Sequence, residues 1–308
     1  MKILLALGGN ALLPPSGRQS FKVYQETVKK TAKSIASLAK KHRIAITHGN
    51  GSQVGNLLLE QEACKETPRL PLDVVGAETQ GQIGYLLQKE LQSLLPGKEI
   101  FTLVTQVLVD EKDPAFKSPS KPVGPFYSMP PRRTGWALKR IGRKWRRVVA
   151  SPQPVDIVEK DAITRAFGRG AMVIACGGGG IPVTRHGRRL EGVEAVIDKD
   201  MTGSLLASLL KVDMFMMLTD VKGVYLNYEK RSQKFLRELS IQEAKRLLKT
   251  GEFGEGSMKP KVEAALQFVR GNSHGKAVIA SLREMENAAA SRAGTVLAGR
   301  TSGIYSSC

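Results

Sequence analysis

The chain has 308 residues, 42% of them hydrophobic and 24% charged, an ordinary globular composition that excludes a disordered or fibrous protein. Its 47 Lys and Arg against 28 Asp and Glu leave a formal charge of +19, which favours anionic partners (nucleotides, phosphates, nucleic acid or a membrane surface) without choosing among them. No apolar run approaches the roughly 20 residues of a membrane span, the opening ILLAL is too short for a signal-peptide core, and Cys64, Cys176 and Cys308 lack metal-type spacing, so a cytoplasmic protein without disulfides is expected.

In chain order, an apolar run at 2–7 reads as a strand that ends at Gly8-Gly9-Asn10. Val28, Ile35, Leu38 and Ala39 recur at helical spacing and predict a helix over 24–42; a second apolar run, 44–47, predicts a strand ending at His48-Gly49-Asn50-Gly51. Helices near 82–95, 155–167, 202–210 and 260–270 then alternate with strands at 100–109, 171–175, 214–218 and 277–280. Such alternation argues for one α/β domain over 1–308, with a mostly parallel sheet covered by helices on both faces and ligands bound beyond the carboxyl ends of the strands. It fails at 113–154, where eight prolines and two tryptophans leave no room for a long helix. Residues 117–149 read as a small protruding lid subdomain inserted in the domain, and 299–308 as a terminal tail.

Four glycine-rich turns follow apolar strands: LGGN at 7–10, HGNG at 48–51, CGGGG at 176–180 and TDVKGVY at 219–225. Glycine lets backbone N–H groups approach a phosphate without an intervening side chain. Any one such turn is more often only a tight turn, but four after parallel strands would converge on one sheet edge. No GxxxxGK[ST], GxGxxG or protein-kinase signature is present, so a nucleotide would need a different loop system.

Three further segments carry charge in suggestive places. In VIDKD at 196–200, pattern alone favours an ordinary helix start, with Asp200 capping and Asp198 and Lys199 facing solvent. GSMKPKVEAALQF at 256–268 sets two lysines at a helix start, where they oppose the helix dipole and make a bound anion a reasonable explanation. The stretch 132–147 holds eight Lys or Arg and no acid, interleaved with Trp136 and Trp145. That composition suits single-stranded nucleic acid, although a solvated lid face over packed tryptophans is the preferred reading. The four histidines are scattered, without the spacing of a metal site or a catalytic triad.

With these segments in order, the sequence resembles the carbamate kinases of the amino-acid-kinase superfamily. The resemblance rests on ALGGNALL (6–13), THGNGSQVGNLL (47–58), KPVGPFY (121–127), WRRVVASPQPVDIVE (145–159), CGGGGIPV (176–183), GVEAVIDKD (192–200), LTDVKGVY (218–225) and GSMKPKVEAA (256–265), which run the length of the chain in family order. It implies a three-layer αβα sandwich with a central, mostly parallel eight-stranded sheet, a homodimer, a lid over each active site, and the reaction ATP + carbamate ⇌ ADP + carbamoyl phosphate, often run toward ATP in arginine catabolism. By matching motifs it implies Lys199 and Lys261 on the transferring phosphoryl group, Asp200 fixing both, and Lys121 delivered by the lid. Gly8, Gly9, Asn10, Gly49, Asn50 and Gly51 would hold carbamate and phosphoryl oxygens. Gly177, Gly178, Gly179, Gly180, Asp220, Val221, Tyr225 and Met258 would line the nucleotide side, and Mg²⁺ would ride on the ATP phosphates with no assigned protein ligand. Ser52 stands where the family usually has proline, Lys259 where it has glycine, and the lid is short and basic. One rival is another small-acid or phosphate kinase of the superfamily, against which KPVGPFY and the uninterrupted VIDKD argue; a rival of a different class is a nucleic-acid-binding or scaffold protein on a retained kinase fold.

Overall fold

The first strand, β1 (Lys2–Leu7), is paired in parallel along both edges and buried on both faces, which is why it reads as an unbroken apolar run. The computed structural model describes residues 1–9, 12, 20–64, 66–131, 135–254 and 258–299. After β1 come α1 (Phe21–Ala39), β2 (Arg43–His48), α2 (Gly51–Ala63), α3 (Leu72–Leu94), β3 (Ile100–Thr102), β4 (Gln106–Leu108), β5 (Lys121–Tyr127), β6 (Leu138–Ile141), β7 (Lys144–Val149) and β8 (Asp156–Ile157). The second half runs α4 (Lys160–Gly168), β9 (Met172–Ile174), β10 (Ile181–His186), β11 (Arg189–Gly192), α5 (Lys199–Leu209), β12 (Met214–Thr219), β13 (Val224–Leu226) and β14 (Lys234–Leu236). It ends with α6 (Ile241–Lys249), α7 (Met258–Gly271), β15 (Lys276–Ser281), α8 (Met285–Ala289) and β16 (Thr295–Ala298). The tail at 300–308, including Cys308, lies outside the described residues, as do Asn10, 132–134 of the basic stretch, and 255–257.

The central sheet has the order β16-β15-β12-β1-β2-β9-β3, parallel throughout except for β16 against β15. Alternate residues of each strand feed two cores. Leu4 and Ala6 of β1 and Phe215 and Met217 of β12 pack with α5, α6 and α7 through Leu206, Leu247, Val262 and Phe268. Ile3, Leu5 and Leu7, with Met214, Met216 and Leu218, pack on the other face with α1, α3 and α8 through Val28, Ile35, Ile83, Leu87 and Met285. The expected layering of helix, sheet and helix is therefore present.

The strand count departs from expectation. Seven strands, not eight, pair in the central sheet among the described residues. The run 100–109 is two strands: β3 pairs with β9 in the central sheet, whereas β4 joins β10 in a second sheet ordered β11-β10-β4-β8. The break falls at Thr105, whose hydroxyl donates to Leu103 O and accepts from Cys176 N, so side-chain bonds replace the strand ladder at the point where both chains change sheets. Strands β5, β7 and β6 form a separate antiparallel sheet inside 117–149. Helix α3 begins ten residues before the predicted 82. α2, at whose C-terminal end Cys64 lies as expected for a helical residue, turns Val54, Leu57 and Leu58 toward a small cluster with Leu72, Val75, Val123 and Val149. No described helix is long and apolar enough to cross a membrane.

Candidate active site

Helices α5 and α7 leave the same core side by side, and their first turns bring three charges together. Lys199 Nζ donates to Asp200 Oδ1 at 2.6 Å, and Lys261 Nζ donates to Asp200 Oδ2 at 2.9 Å. All three side chains are nearly buried, with 13%, 4% and 12% exposure for Lys199, Asp200 and Lys261. Burial opposes the charge on Asp200, but the two ammonium groups outweigh it and hold the carboxyl well below the usual range. Burial is likewise the largest influence on Lys199 and lowers its pKa, with the like charge of Lys261 adding to it. On Lys261, attraction to Asp200 overcomes burial and raises the pKa.

The ordinary-cap reading of VIDKD is overturned here. Asp198, not Asp200, caps α5: its Oδ1 accepts from Asp200 N at 2.9 Å. Asp200 turns inward because its lysine partners lie there. The other oxygen of Asp198 accepts from Lys121 Nζ at 2.6 Å, and Lys121 opens strand β5 of the small sheet. A cavity of about 220 Å³ results, walled by Lys121, Lys199, Asp200, Lys261, Asp198, Gly178 and the turn Gly49, Asn50 and Gly51.

The turns are shaped by close contacts. Gly178 has φ +68, and the Asn50 amide occupies the space a Cβ would take, 2.1 Å away; Gly179, at φ +97, would drive a Cβ to 2.2 Å from Ile197 O. Only glycine fits at either place. Asn50 Nδ2 donates to Thr79 Oγ1, while Gln80 Nε2 donates to Thr105 O and Gly177 O, so α3 holds both turns in place. Thr202 Oγ1 of α5 donates to Gly179 O at 2.8 Å. His48 is fully buried below Gly177, its Nδ1 3.1 Å from Gly49 O, and burial lowers its pKa to about 4. The imidazole is neutral at physiological pH.

Of the residues singled out by sequence, Lys121, Lys199, Asp200, Lys261, Gly49, Asn50, Gly51 and Gly178 line one cavity. Gly9 lies beside Gly49, and Gly8 N donates to Leu218 O at 3.1 Å. Gly177, Gly179 and Gly180 shape the same turn without lining the cavity. Asp220, Val221, Tyr225 and Met258 lie outside the cavity wall, at the end of β12, in β13 and at the start of α7. Asp220 still contributes to the field on Lys261. Asp198, Gln80, Thr79 and Thr202 were not legible as site residues. Asp198 was visible in VIDKD but indistinguishable from a surface residue, and the others sit inside helices without a motif.

The comparisons with known proteins decide the lineage. The model of the amino acid kinase family matches residues 1–281. The chain is 45% identical to the carbamate kinase of Thermococcus kodakarensis, over 96% of this chain and 98% of that one, and 46% identical to the carbamate kinase of Clostridium perfringens, over 96% and 99%. It belongs to the amino acid kinase family, in its carbamate kinase branch. Among solved structures, the Giardia lamblia carbamate kinase bound to AMP-PNP superposes with a TM-score of 0.89 at 37% identity, covering 96% of this chain and 98% of that one.

The neutral His48 has a measurable consequence. Its folded pKa lies below the unfolded value, so between pH 6.5 and about 4 the unfolded state binds more protons and stability falls as pH drops, by up to roughly 3 kcal/mol. Urea unfolding across that window should show a shallower loss in His48→Gln than in the parent. Equal slopes would mean that His48 is not buried neutral.

Proposed function

We propose that the chain transfers a phosphoryl group reversibly between ATP and carbamate, ATP + carbamate ⇌ ADP + carbamoyl phosphate. The observation that carries this reading is the buried Lys199–Asp200–Lys261 cluster on the wall of a glycine-edged cavity, in a chain of the carbamate kinase branch. In-line phosphoryl transfer asks little covalent chemistry of a protein. It asks for placement and for positive charge around the moving group. Lys199 and Lys261 supply fixed ammonium groups, and Asp200 prevents their mutual repulsion from scattering them. Because Asp200 holds both lysines before substrate arrives, little reorganisation remains for the transition state.

On this reading Gly8, Gly9, Asn10, Gly49, Asn50 and Gly51 face carbamate and the transferred phosphoryl oxygens, and residues 177–180 with Asp220, Val221, Tyr225 and Met258 face the nucleotide. Support comes from the parallel register, which aligns Leu7 with His48 and with Leu218 and so brings the turns after β1, β2 and β12 to one edge. The sheet β5-β7-β6 would act as the lid that carries Lys121. The donor set fits a metal carried by the nucleotide: both oxygens of Asp200 are occupied by lysines, and no group of three His, Cys, Asp or Glu among the described residues is arranged to hold an ion. Mg²⁺ bound to the phosphates would neutralise part of their charge and orient them.

The rival reading as a nucleic-acid-binding scaffold rests on charge alone: in the basic stretch Lys139, Arg140, Arg143 and Lys144 are exposed, but the residues beside the tryptophans are engaged within the protein. Arg147 pairs with Glu194 and lies over Trp136, Arg146 lies over Phe126 and donates to Gly124 O, and neither tryptophan is exposed as a stacking platform. A homodimer is favoured by a different surface. Val74 and Tyr85 share one exposed face of α3, 11 residues apart, beside edge strand β3, whose Phe101 is exposed, and the nearby Val104.

Incubation with ADP, Mg²⁺ and carbamoyl phosphate should produce ATP well above the spontaneous background; background-level ATP would remove the proposed reaction. Lys261→Ala should lower turnover by ~10²–10³ with folding retained, as loss of a single electrostatic stabiliser commonly does, and near-normal turnover would take Lys261 out of the mechanism. Sedimentation should give twice the chain mass for the parent and a monomer for Tyr85→Glu. A parent that sediments as a monomer at micromolar concentration would rule out the α3 interface.

A further inference from the structure

Among the described residues, Tyr127 pairs with Glu62, Arg147 with Glu194 and Lys121 with Asp198, each tying the small sheet to the body of the molecule. The first two lie around a separate pocket between α2 and β5. The third opens onto the catalytic cavity. Its acceptor is unusual in its double attachment. Asp198 has extended backbone angles, φ −68 and ψ 126, immediately before α5, and spends one oxygen on the helix cap and the other on a lysine 77 positions earlier in the chain.

We propose that Asp198 is a positioning residue for phosphoryl transfer: one oxygen fixes the first turn that presents Lys199 and Asp200, and the other holds Lys121 at the cavity until phosphate oxygens take over its ammonium group. This rests on the reaction proposed above and on Lys121 acting in it. The charges around the cavity make the hand-over physically sensible. Lys121, Lys199 and Lys261 face Asp198 and Asp200, and both lysine partners of Asp200 are already held by it. Lys121 is the most exposed of the three, at 31% against 13% and 12%, so it is the one able to leave its carboxylate without becoming a bare buried charge. An arriving phosphoryl group offers the same kind of charge-assisted bond that Asp198 offers. When Lys121 shifts, Asp198 keeps its bond to Asp200 N, and the helix start is undisturbed.

A helix cap alone would not need a carboxylate at this position. Asn and Ser cap as well as Asp, but neither can bind an ammonium group with a full charge. Asp198→Asn therefore separates the two roles. Its urea unfolding should match the parent, while hydrogen exchange at the amides of β5 speeds up in the absence of substrate. Its kcat/KM for carbamoyl phosphate should fall about tenfold, within the range of coupling between contacting groups. The decisive measurement is the double variant. If Asp198 acts through Lys121, adding Asp198→Asn to Lys121→Ala lowers kcat/KM no further than Lys121→Ala alone. Should Asp198→Asn fold poorly, Asp198→Ser is read in the same way. Additive losses in the double variant, or β5 exchange and kcat/KM equal to the parent in the single one, would overturn the proposal. A parent enzyme that makes no ATP would instead remove the reaction, and the exchange measurement would then decide by itself whether Asp198 holds β5.

Discussion

A carboxylate that is only 4% exposed can keep its charge in the core only if that charge is answered from within. For Asp200 the answer is two lysines on different helices, and much of the architecture follows from the need to bring them to one point. Helix α5 must begin at Lys199 and α7 near Met258, and the two must run together from the sheet edge. Their shared packing through Leu206, Val262 and Phe268 supplies that alignment. Removing Asp200 would leave two buried ammonium groups unanswered, whereas removing either lysine leaves a balanced pair, so the fold depends most on the carboxylate.

The parallel sheet provides the other half of the site. Parallel pairing sends every strand end to the same edge, and glycine at those ends lets the connecting backbones crowd together. At 178 and 179 the crowding is visible as contacts that no side chain could survive. The lysines thus meet a surface made largely of backbone groups and the Asn50 amide. The environment is suited to an anion, because its donors are fixed before anything binds.

Much of this was legible in the sequence, and the limits have physical causes. Alternating apolar runs and helical spacings revealed the layered α/β class, because buried parallel strands and amphipathic helices must carry those patterns. The glycine turns announced the sheet edge where the cavity lies. The roles of 196–200 were misread locally, since a capping aspartate and an inward-facing one look alike until a partner 61 residues away is in place. The strand at 100–109 looked continuous because its break at Thr105 is made by side-chain bonds rather than by glycine or proline. Family resemblance, not spacing, named the substrate.

The bond from Thr202 to Gly179 O carries one more implication. Thr202 lies three residues beyond Lys199 on the same helix, so the 177–180 turn and Lys199 are referred to a single solid body. The separation between the turn and Lys199 is then a ruler cut in covalent geometry, about one helical turn long. Breathing of the surrounding layers leaves that ruler unstretched.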